Sequence, residues 1–487
     1  MRLIHSAGAA VLVLALAAPV PATAASGRAE FVGLVAGQGA GDINQTRDRF
    51  AVHATDLGVM WRDSRGRTAI AFGDTYGAGW GGNGAGPETA DWRFNVLAHS
   101  TDQNLADGLR IDSMVTDRPG HAKQLLGGDP DVDEVTVIPT AAISVGSRDY
   151  LHYMSVRSWG PAGTWVTNFA GLAYSDDGGV TWTKSVRLAN SGTTAKFQLG
   201  AFVRQGEHVY LFGTPNGRLG NAFVARVRSA QVLDLGAYEY WTASGWSPVG
   251  DPIPVMSGQV GELSVQYNSF LGRWVAMHLD EGRAAIVLRT APTPTGPWSG
   301  GQVVAHANDH PGLYGAYLHP DNHRDLYFAM SRWDPYHVEL MRLPLNGFPL
   351  DQNLVRNGGF EDWPGTWQVN GQGGIDRGLG LARTGANNGF VRNKSGWNDL
   401  HEQVVVQPGK RYRLTGWLRT SASNTDGYFG VRGSQRAEQK FGQLGQYTKL
   451  TVEFLATDAN LEVFAGTWAT HGDTWVQVDD VVLEQTD

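Results

Sequence analysis

Two largely apolar runs, Phe50–Trp61 and Thr68–Thr75, have strand composition, and the polar, Gly-containing break Asp63-Ser64-Arg65-Gly66-Arg67 between them predicts a β-hairpin. The arrangement recurs. Polar breaks at Gly146–Asp149, Gln205–His208, Asn268–Arg273 and Pro320–Asp325 precede the runs YLHYMSV, VYLFGT, WVAMHLD and LYFAMSRW, as TAIAFGDT follows the first break. A second apolar run lies further on in each copy: VLAHSTD, GLAYSDD, AFVARVR, AIVLRTA and HVELMRL. Five copies of strand, turn, strand, strand, roughly 50 to 80 residues apart, predict a five-bladed β-propeller, which needs four short strands per blade. Pro344–Gln352 reads as a linker. Beyond it, Gln403–Val406, Tyr412–Leu418, Tyr428–Val431, Lys449–Phe454, Leu461–Phe464 and Trp475–Leu483 predict a β-sandwich of jelly-roll type. The expected fold class is all-β, with a propeller over residues 29–348, a sandwich over 353–487 and no helix of ordinary length.

Counting outward from Arg65 sets Met60 against Ile70, Gly58 against Phe72 and Asp56 against Asp74. Residues directly opposed on an antiparallel pair sit roughly 4.5–5.5 Å apart at Cβ, and like charges there are destabilising. A pair of opposed aspartates therefore marks the expected site; the bland alternative is that both serve turns. Inner strands of a propeller line a central channel, and stepping back from each turn gives a ring of Asp56, Thr140, Gln198, Glu262 and Tyr314. Glu262 brings a third carboxylate, and acids facing a water-filled mouth cost less than acids buried in a core. Around them, Trp80, Trp92 and Trp333 are the expected stacking residues, while Arg93, Asn95, Gln198 and Tyr314 are the expected hydrogen-bonding ones. Trp159 and Trp165, in a Gly-rich loop, read as loop packing. The Asp-box pattern S-x-D-x-G-x-x-W at Ser175–Trp182 reads as a folding device in which Asp and Gly close a turn and Trp packs the sheet; Pro294–Trp298 reads as a similar outer turn.

The first residues read Arg2, an apolar stretch Ala7–Val20 and Ala22-Thr23-Ala24, the pattern of a secretory signal peptide over residues 1–24. A secreted, extracellular product is expected. No later stretch reaches the roughly 18 apolar residues of a membrane span. With no cysteine, stability has to come from large cores rather than disulfides. The chain has 39 basic and 47 acidic side chains, a net charge of −8, and no basic run that would follow a phosphate backbone, which argues against a nucleic-acid partner. Its 17 tryptophans suit flat apolar ligands such as sugar faces as well as β cores. The histidines show no H-x-x-H or H-E-x-x-H spacing and there is no G-x-S-x-G, so no cofactor is expected for catalysis.

Several motifs carry a resemblance: Thr55-Asp56-Leu57-Gly58, Phe72-Gly73-Asp74-Thr75, Trp92-Arg93-Phe94-Asn95-Val96-Leu97, Gly261-Glu262-Leu263-Ser264, Tyr314-Gly315-Ala316-Tyr317 and Tyr327-Phe328-Ala329-Met330-Ser331-Arg332-Trp333. In this order they resemble glycoside hydrolase family 183, the endo-D-arabinanases. The resemblance implies a five-bladed propeller that cleaves internal linkages of D-arabinan, the furanoside polymer of arabinogalactan and lipoarabinomannan, with Asp56 and Asp74 as catalytic residues. The C-terminal region resembles the galactose-binding-like jelly rolls of carbohydrate-binding modules through Asn357-Gly358-Gly359-Phe360-Glu361 and Val478-Asp479-Asp480-Val481. That resemblance implies a structural calcium held by Glu361 and a closing aspartate such as Asp479. Trp397 and Trp417 are either sugar platforms or core there.

Glycoside hydrolysis canonically takes two carboxyl groups, one protonated and one ionised. Neighbouring carboxylates push each other's pKa values apart, which supplies both forms near neutral pH. The hairpin register favours the close, retaining separation; a bulge at Leu57-Gly58 would remove that inference, and Glu262 could then supply the acid in an inverting scheme. The competing readings are a non-catalytic propeller lectin and a propeller glycosidase for another glycan such as L-arabinan. A sialidase expects three arginines, and only Arg93 and Arg332 are in place.

Overall fold

The computed structural model describes residues 27–362, 365–470 and 472–487, so the expected signal peptide lies outside the described residues. Strands dominate. The one α-helix among the described residues is the five-residue Thr46–Phe50, which the sequence pattern had assigned in part to a strand; the strand itself begins at Leu57.

Up to residue 344 the chain forms five antiparallel sheets of four or five strands, with two short two-stranded ribbons. The first strands of these sheets are Leu57–Arg62, Thr136–Val145, Leu199–Gln205, Val260–Asn268 and Leu313–Leu318. They pack side by side in that cyclic order, the fifth against the first. Each sheet then runs outward through successive hairpins. The fifth is completed differently: Glu30–Ala36, a strand the sequence pattern did not mark, pairs antiparallel with His337–Pro344 from the far end of this region. Pairing the two ends ties the region together and covers an otherwise open edge.

The first hairpin does not keep the expected register. Met60 faces Ile70, but Leu57, not Gly58, faces Phe72. Gly58 is the extra residue of a bulge at φ 92°, and Leu57 beside it sits at φ 66°, a conformation strained for a residue with a Cβ. Ser331 of the fifth sheet holds it there, its Oγ accepting the Leu57 N–H at 2.7 Å. Asp56 consequently faces Gly73, whose N–H donates to the Asp56 carbonyl at 3.1 Å, and direct opposition to Asp74 is lost. The register argument for a retaining separation falls with it. Irregularities also interrupt Pro139/Ala141, Val260/Leu263 and Tyr314/Tyr317 on other innermost strands. Bulges re-aim side chains near functional sites, and three of these four breaks lie at or next to Asp56, Glu262 and Tyr314.

The Asp-box is a turn device. Asp177 Oδ1 accepts the N–H groups of Val180 and Thr181, Ser175 Oγ accepts that of Gly179, and Trp182 packs edge-on against Trp61 at 6.5 Å. In the Pro294–Trp298 turn, Trp298 is buried and its indole N–H donates to the Pro294 carbonyl.

From Gln368 onward two five-stranded antiparallel sheets enclose a separate core that includes Phe360, Leu400, Phe429, Val463, Val478 and Leu483. The expected strands there are present but longer, and Gly373–Arg377, Asn387–Asn393 and Ala437–Phe441 add to them. Buried ionic contacts join this unit to the fourth sheet: Arg356 pairs with Glu402 and reaches Asp280 at 3.7 Å, and Arg283 reaches Asp362 at 2.6 Å.

Candidate active site

Asp56 immediately precedes the first innermost strand, and Asp74 follows the strand paired with it. Asp74 is buried; Asp56 keeps partial exposure. Asp74 Oδ1 accepts the Thr136 hydroxyl at 2.7 Å and the Trp92 indole N–H at 2.9 Å. Burial raises its pKa to about 6 against these two bonds. Asp56 Oδ2 accepts the Tyr314 hydroxyl at 3.0 Å, and Tyr336 hydrogen-bonds the same carboxyl. Burial, with the negative charge of Asp74 second and that of Glu262 smaller, pushes Asp56 up to about 8 against the two phenols. Burial thus raises both carboxyls, and Asp56 the further because the charge of Asp74 adds to it.

Glu262 comes from the fourth sheet, in the bulge of its innermost strand. Arg218 grips it, Nε and Nη2 donating to Glu262 Oε1 at 3.0 and 2.7 Å. The same guanidinium reaches Glu281 at 3.7 Å and lies over the rings of Tyr314 and Trp165 at 5.0 and 5.8 Å. Tyr314, Tyr317 and Tyr336 are all buried, and burial raises each hydroxyl well above its ordinary range, so they act as neutral donors. Within this cluster two carboxylate oxygens have no protein partner: Asp56 Oδ1 and Glu262 Oε2. A buried polar atom left unsatisfied costs about 1–3 kcal/mol, and a catalytic role is one reason a fold keeps one.

Of the residues expected from sequence, Asp56, Asp74, Glu262, Tyr314 and Trp92 come together. Trp92 does so as a hydrogen-bond donor to Asp74, with its ring stacked on Tyr76 at 6.0 Å. Trp333 is 52 % exposed and stands edge-on to Tyr336 at 5.6 Å; Trp80 lies close by, its indole N–H donating to the Gly84 carbonyl. Three expected hydrogen-bonding residues are committed elsewhere. Asn95 is fully buried, donating to Leu126 and Val137 carbonyls and accepting two N–H groups, which pins the loop at 125–126. Gln198 is fully buried as well, donating to the Leu188, Ala189 and Thr194 carbonyls and accepting the Thr167 hydroxyl. Arg93 donates to the Ala51 and Ala122 carbonyls and pairs with Asp91 at 3.4 Å. Thr140 bonds His152, and Thr136, four residues earlier, stands beside Asp74 instead. Sequence reasoning missed Thr136, Arg218, Tyr317 and Tyr336. Tyr317 sat in a quoted motif and was readable; Arg218, in a turn-rich loop, carried no periodic signal.

The expected calcium ligands are occupied by amides. Glu361 Oε1 accepts the N–H groups of Ala386 and Asn387, and Asp479 accepts those of Arg383, Thr384 and Asp480. Among the described residues no group of three or more His, Asp or Glu side chains is gathered as a metal site, and no helix is long and apolar enough to cross a membrane.

The class of protein defined here is an all-β chain whose cyclically packed sheets converge on a carboxylate and tyrosine cluster. The chain belongs to the DUF4185 family, described as a domain of unknown function, which matches residues 41–342. It is 32 % identical over 313 residues to the notoamide biosynthesis cluster protein J' of Aspergillus versicolor, covering 60 % of this chain and 84 % of that protein. It is 30 % identical over 316 residues to the notoamide biosynthesis cluster protein J of Aspergillus sp. (strain MF297-2), covering 60 % and 83 %. Similar solved structures include a proposed hydrolase of Bacteroides ovatus ATCC 8483, at 13 % identity and a TM-score of 0.46 over 60 % of this chain and 86 % of that one. Another is a glycoside hydrolase family 43 arabinoxylan arabinofuranohydrolase from Bacillus subtilis, at 12 % identity and 0.36 over 93 % and 99 %. Likeness of this degree does not bear on chemistry.

Proposed function

We propose that the protein is a secreted, five-bladed β-propeller glycoside hydrolase that cuts internal linkages of D-arabinan, with an appended carbohydrate-binding sandwich. The observation that carries the hydrolase reading is the split pair: Asp56 raised to about 8 beside Asp74 at about 6, with Glu262 held by Arg218 across from them. In this reading Asp56 gives its proton to the leaving glycosidic oxygen as the bond to the anomeric carbon breaks. Asp74 either takes a proton from the water whose hydroxyl ends on that carbon, or attacks the carbon to form a glycosyl ester that water then cleaves, its proton returning to Asp56; Glu262 offers negative charge to the oxocarbenium-like transition state. The choice of D-arabinan rests on the motif resemblance alone. The second reading, a role in a biosynthesis cluster, is favoured by the names of the two Aspergillus relatives.

The test is incubation of the purified protein with mycobacterial arabinogalactan and, separately, plant L-arabinan, alongside Asp56→Asn and Asp74→Asn variants. A ladder of oligosaccharides from the first polymer, lost in both variants, supports the proposal. Cleavage of L-arabinan alone would redirect the substrate. No release from either polymer would favour the second reading or a lectin.

A further inference from the structure

We infer that the site extends beyond the carboxylates to a second sugar platform, presented by exposed Trp159 on buried Trp165 and set on a different sheet from Trp333; this rests on the glycan-hydrolase reading above. The hairpin that carries the two residues is long. Its strands, Arg148–Trp159 and Trp165–Ser175, have 12 and 11 residues, against 7 and 6 for His208–Thr214 and Phe223–Arg228, the corresponding strands of the next sheet. At its tip the Gly160 N–H donates to the Thr164 carbonyl at 3.0 Å, and the Thr164 N–H and hydroxyl donate to the Pro161 carbonyl at 2.9 and 2.7 Å. An ordered turn therefore presents the two indoles as cross-strand partners.

The pair is continuous with the carboxylates. Trp165 is 7 % exposed and Trp159 50 %, their rings edge to face at 5.9 Å. Arg218, which holds Glu262, lies over Trp165, and its own N–H donates to the Gly163 carbonyl at the hairpin tip at 2.9 Å. A short chain of contacts thus runs from exposed Trp159 through Trp165 and Arg218 to Glu262. On the other side a second chain runs from exposed Trp333 through Tyr336 to Asp56. Trp333 is backed by Gly84, where any Cβ would come within 3.0 Å of its indole. Trp159 ends a strand of the second sheet and Trp333 lies in the turn between Asp325–Arg332 and His337–Pro344 of the fifth, and these two sheets are not neighbours in the cyclic order.

Exposed single aromatics are common and need no ligand. Two that each lead by direct contacts to a different carboxylate of one cluster are another matter. Indole rings suit the flat apolar faces of sugars while leaving the hydroxyls to polar neighbours. An occupant that touches both platforms and reacts between them is an extended glycan; a single terminal sugar would use only one. The geometry points to binding on both sides of the scissile bond, which is the arrangement an internal cut requires.

The experiment uses the full chain with Trp159→Ala, Trp159→Phe, Trp333→Ala and, as a control on an exposed loop, Val249→Ser. KM on D-arabinan and the cleavage position in end-labelled linear arabino-oligosaccharides are measured. Trp159→Ala should raise KM about three- to tenfold, the range of one aromatic contact, and move the cut in the direction opposite to Trp333→Ala; Trp159→Phe should fall between and Val249→Ser should match wild type. Wild-type KM and cleavage pattern in Trp159→Ala would overturn the platform. If the wild type cuts no arabinan, the hydrolase reading fails by itself, and electrophoretic retardation in polysaccharide gels judges the platform. Weaker retardation of Trp159→Ala than of wild type sustains it, and equal or absent retardation overturns it.

Discussion

Replacing Tyr314 with Phe removes one hydroxyl and little volume from a single contact, its hydrogen bond to Asp56 Oδ2 at 3.0 Å. That bond, with the one from Tyr336, holds down a carboxyl that burial and Asp74 push up to about 8. A hydrogen bond to an ionised group is worth about 1.5–3 kcal/mol, and one pH unit corresponds to about 1.36 kcal/mol. Asp56 should therefore rise by about one to two further pH units. If Asp56 is the acid, its protonated form is the active one, so the alkaline limb of kcat/KM moves up by that amount while the acid limb, set by Asp74, stays in place. The assay is kcat/KM on a soluble labelled oligosaccharide from pH 4 to pH 10, in wild type and Tyr314→Phe. An unmoved alkaline limb with an acid limb shifted upward would refute the assignment and make Asp56 the base. A downward shift of the alkaline limb would refute the electrostatic reasoning itself.

Asp56→Asn should cut kcat by about 100- to 10,000-fold. It should also change stability with a definite sign: the folded value near 8 lies above the ordinary 3.8, so the folded chain keeps a proton that the unfolded chain releases, and stability falls as pH climbs between those values. The variant should then gain in Tm over wild type at pH 8.5 and not at pH 4. Arg218→Met leaves buried Glu262 without its cation; losing one partner of a buried pair costs about 3–5 kcal/mol, read as a lower urea midpoint, with Arg218→Lys recovering part, and an unchanged midpoint would contradict the pairing. Ser331→Ala frees the N–H of strained Leu57. A cost of about 1–3 kcal/mol is expected, together with a fall in kcat larger than any change in KM, because the bulge that aims Asp56 loosens.

The candidate site was legible to an uneven depth. Asp56 and Asp74 stood out because a polar turn between two apolar runs brings their segments together, even though the bulge at Gly58 shifts the pairing by one residue. Glu262 and Tyr314 were found through the repeat, which sets equivalent strands at equivalent depths. The same count also gave Gln198, while Asn95 and Arg93 were chosen by residue type and motif, and none of these signals shows which backbone carbonyls a side chain will meet. Each is spent on the nearest unsatisfied backbone groups, as buried polar side chains must be.

What the sequence by itself determined is what depends on local order: the all-β class, the turns, the two strands that follow the polar break in each of the first five sheets, the change of character after residue 344 and the Asp-box device. Those features follow from side-chain alternation and turn chemistry acting over a few residues. The tertiary structure alone decided that Glu30–Ala36 pairs with a strand some three hundred residues away. It alone set Arg218 on Glu262, Thr136 on Asp74 and Tyr336 beside Asp56. The physical reason is that a pKa, a bulge and a binding surface are set by what comes near through folding, and a single extra residue in a strand is enough to turn a side chain toward a different partner.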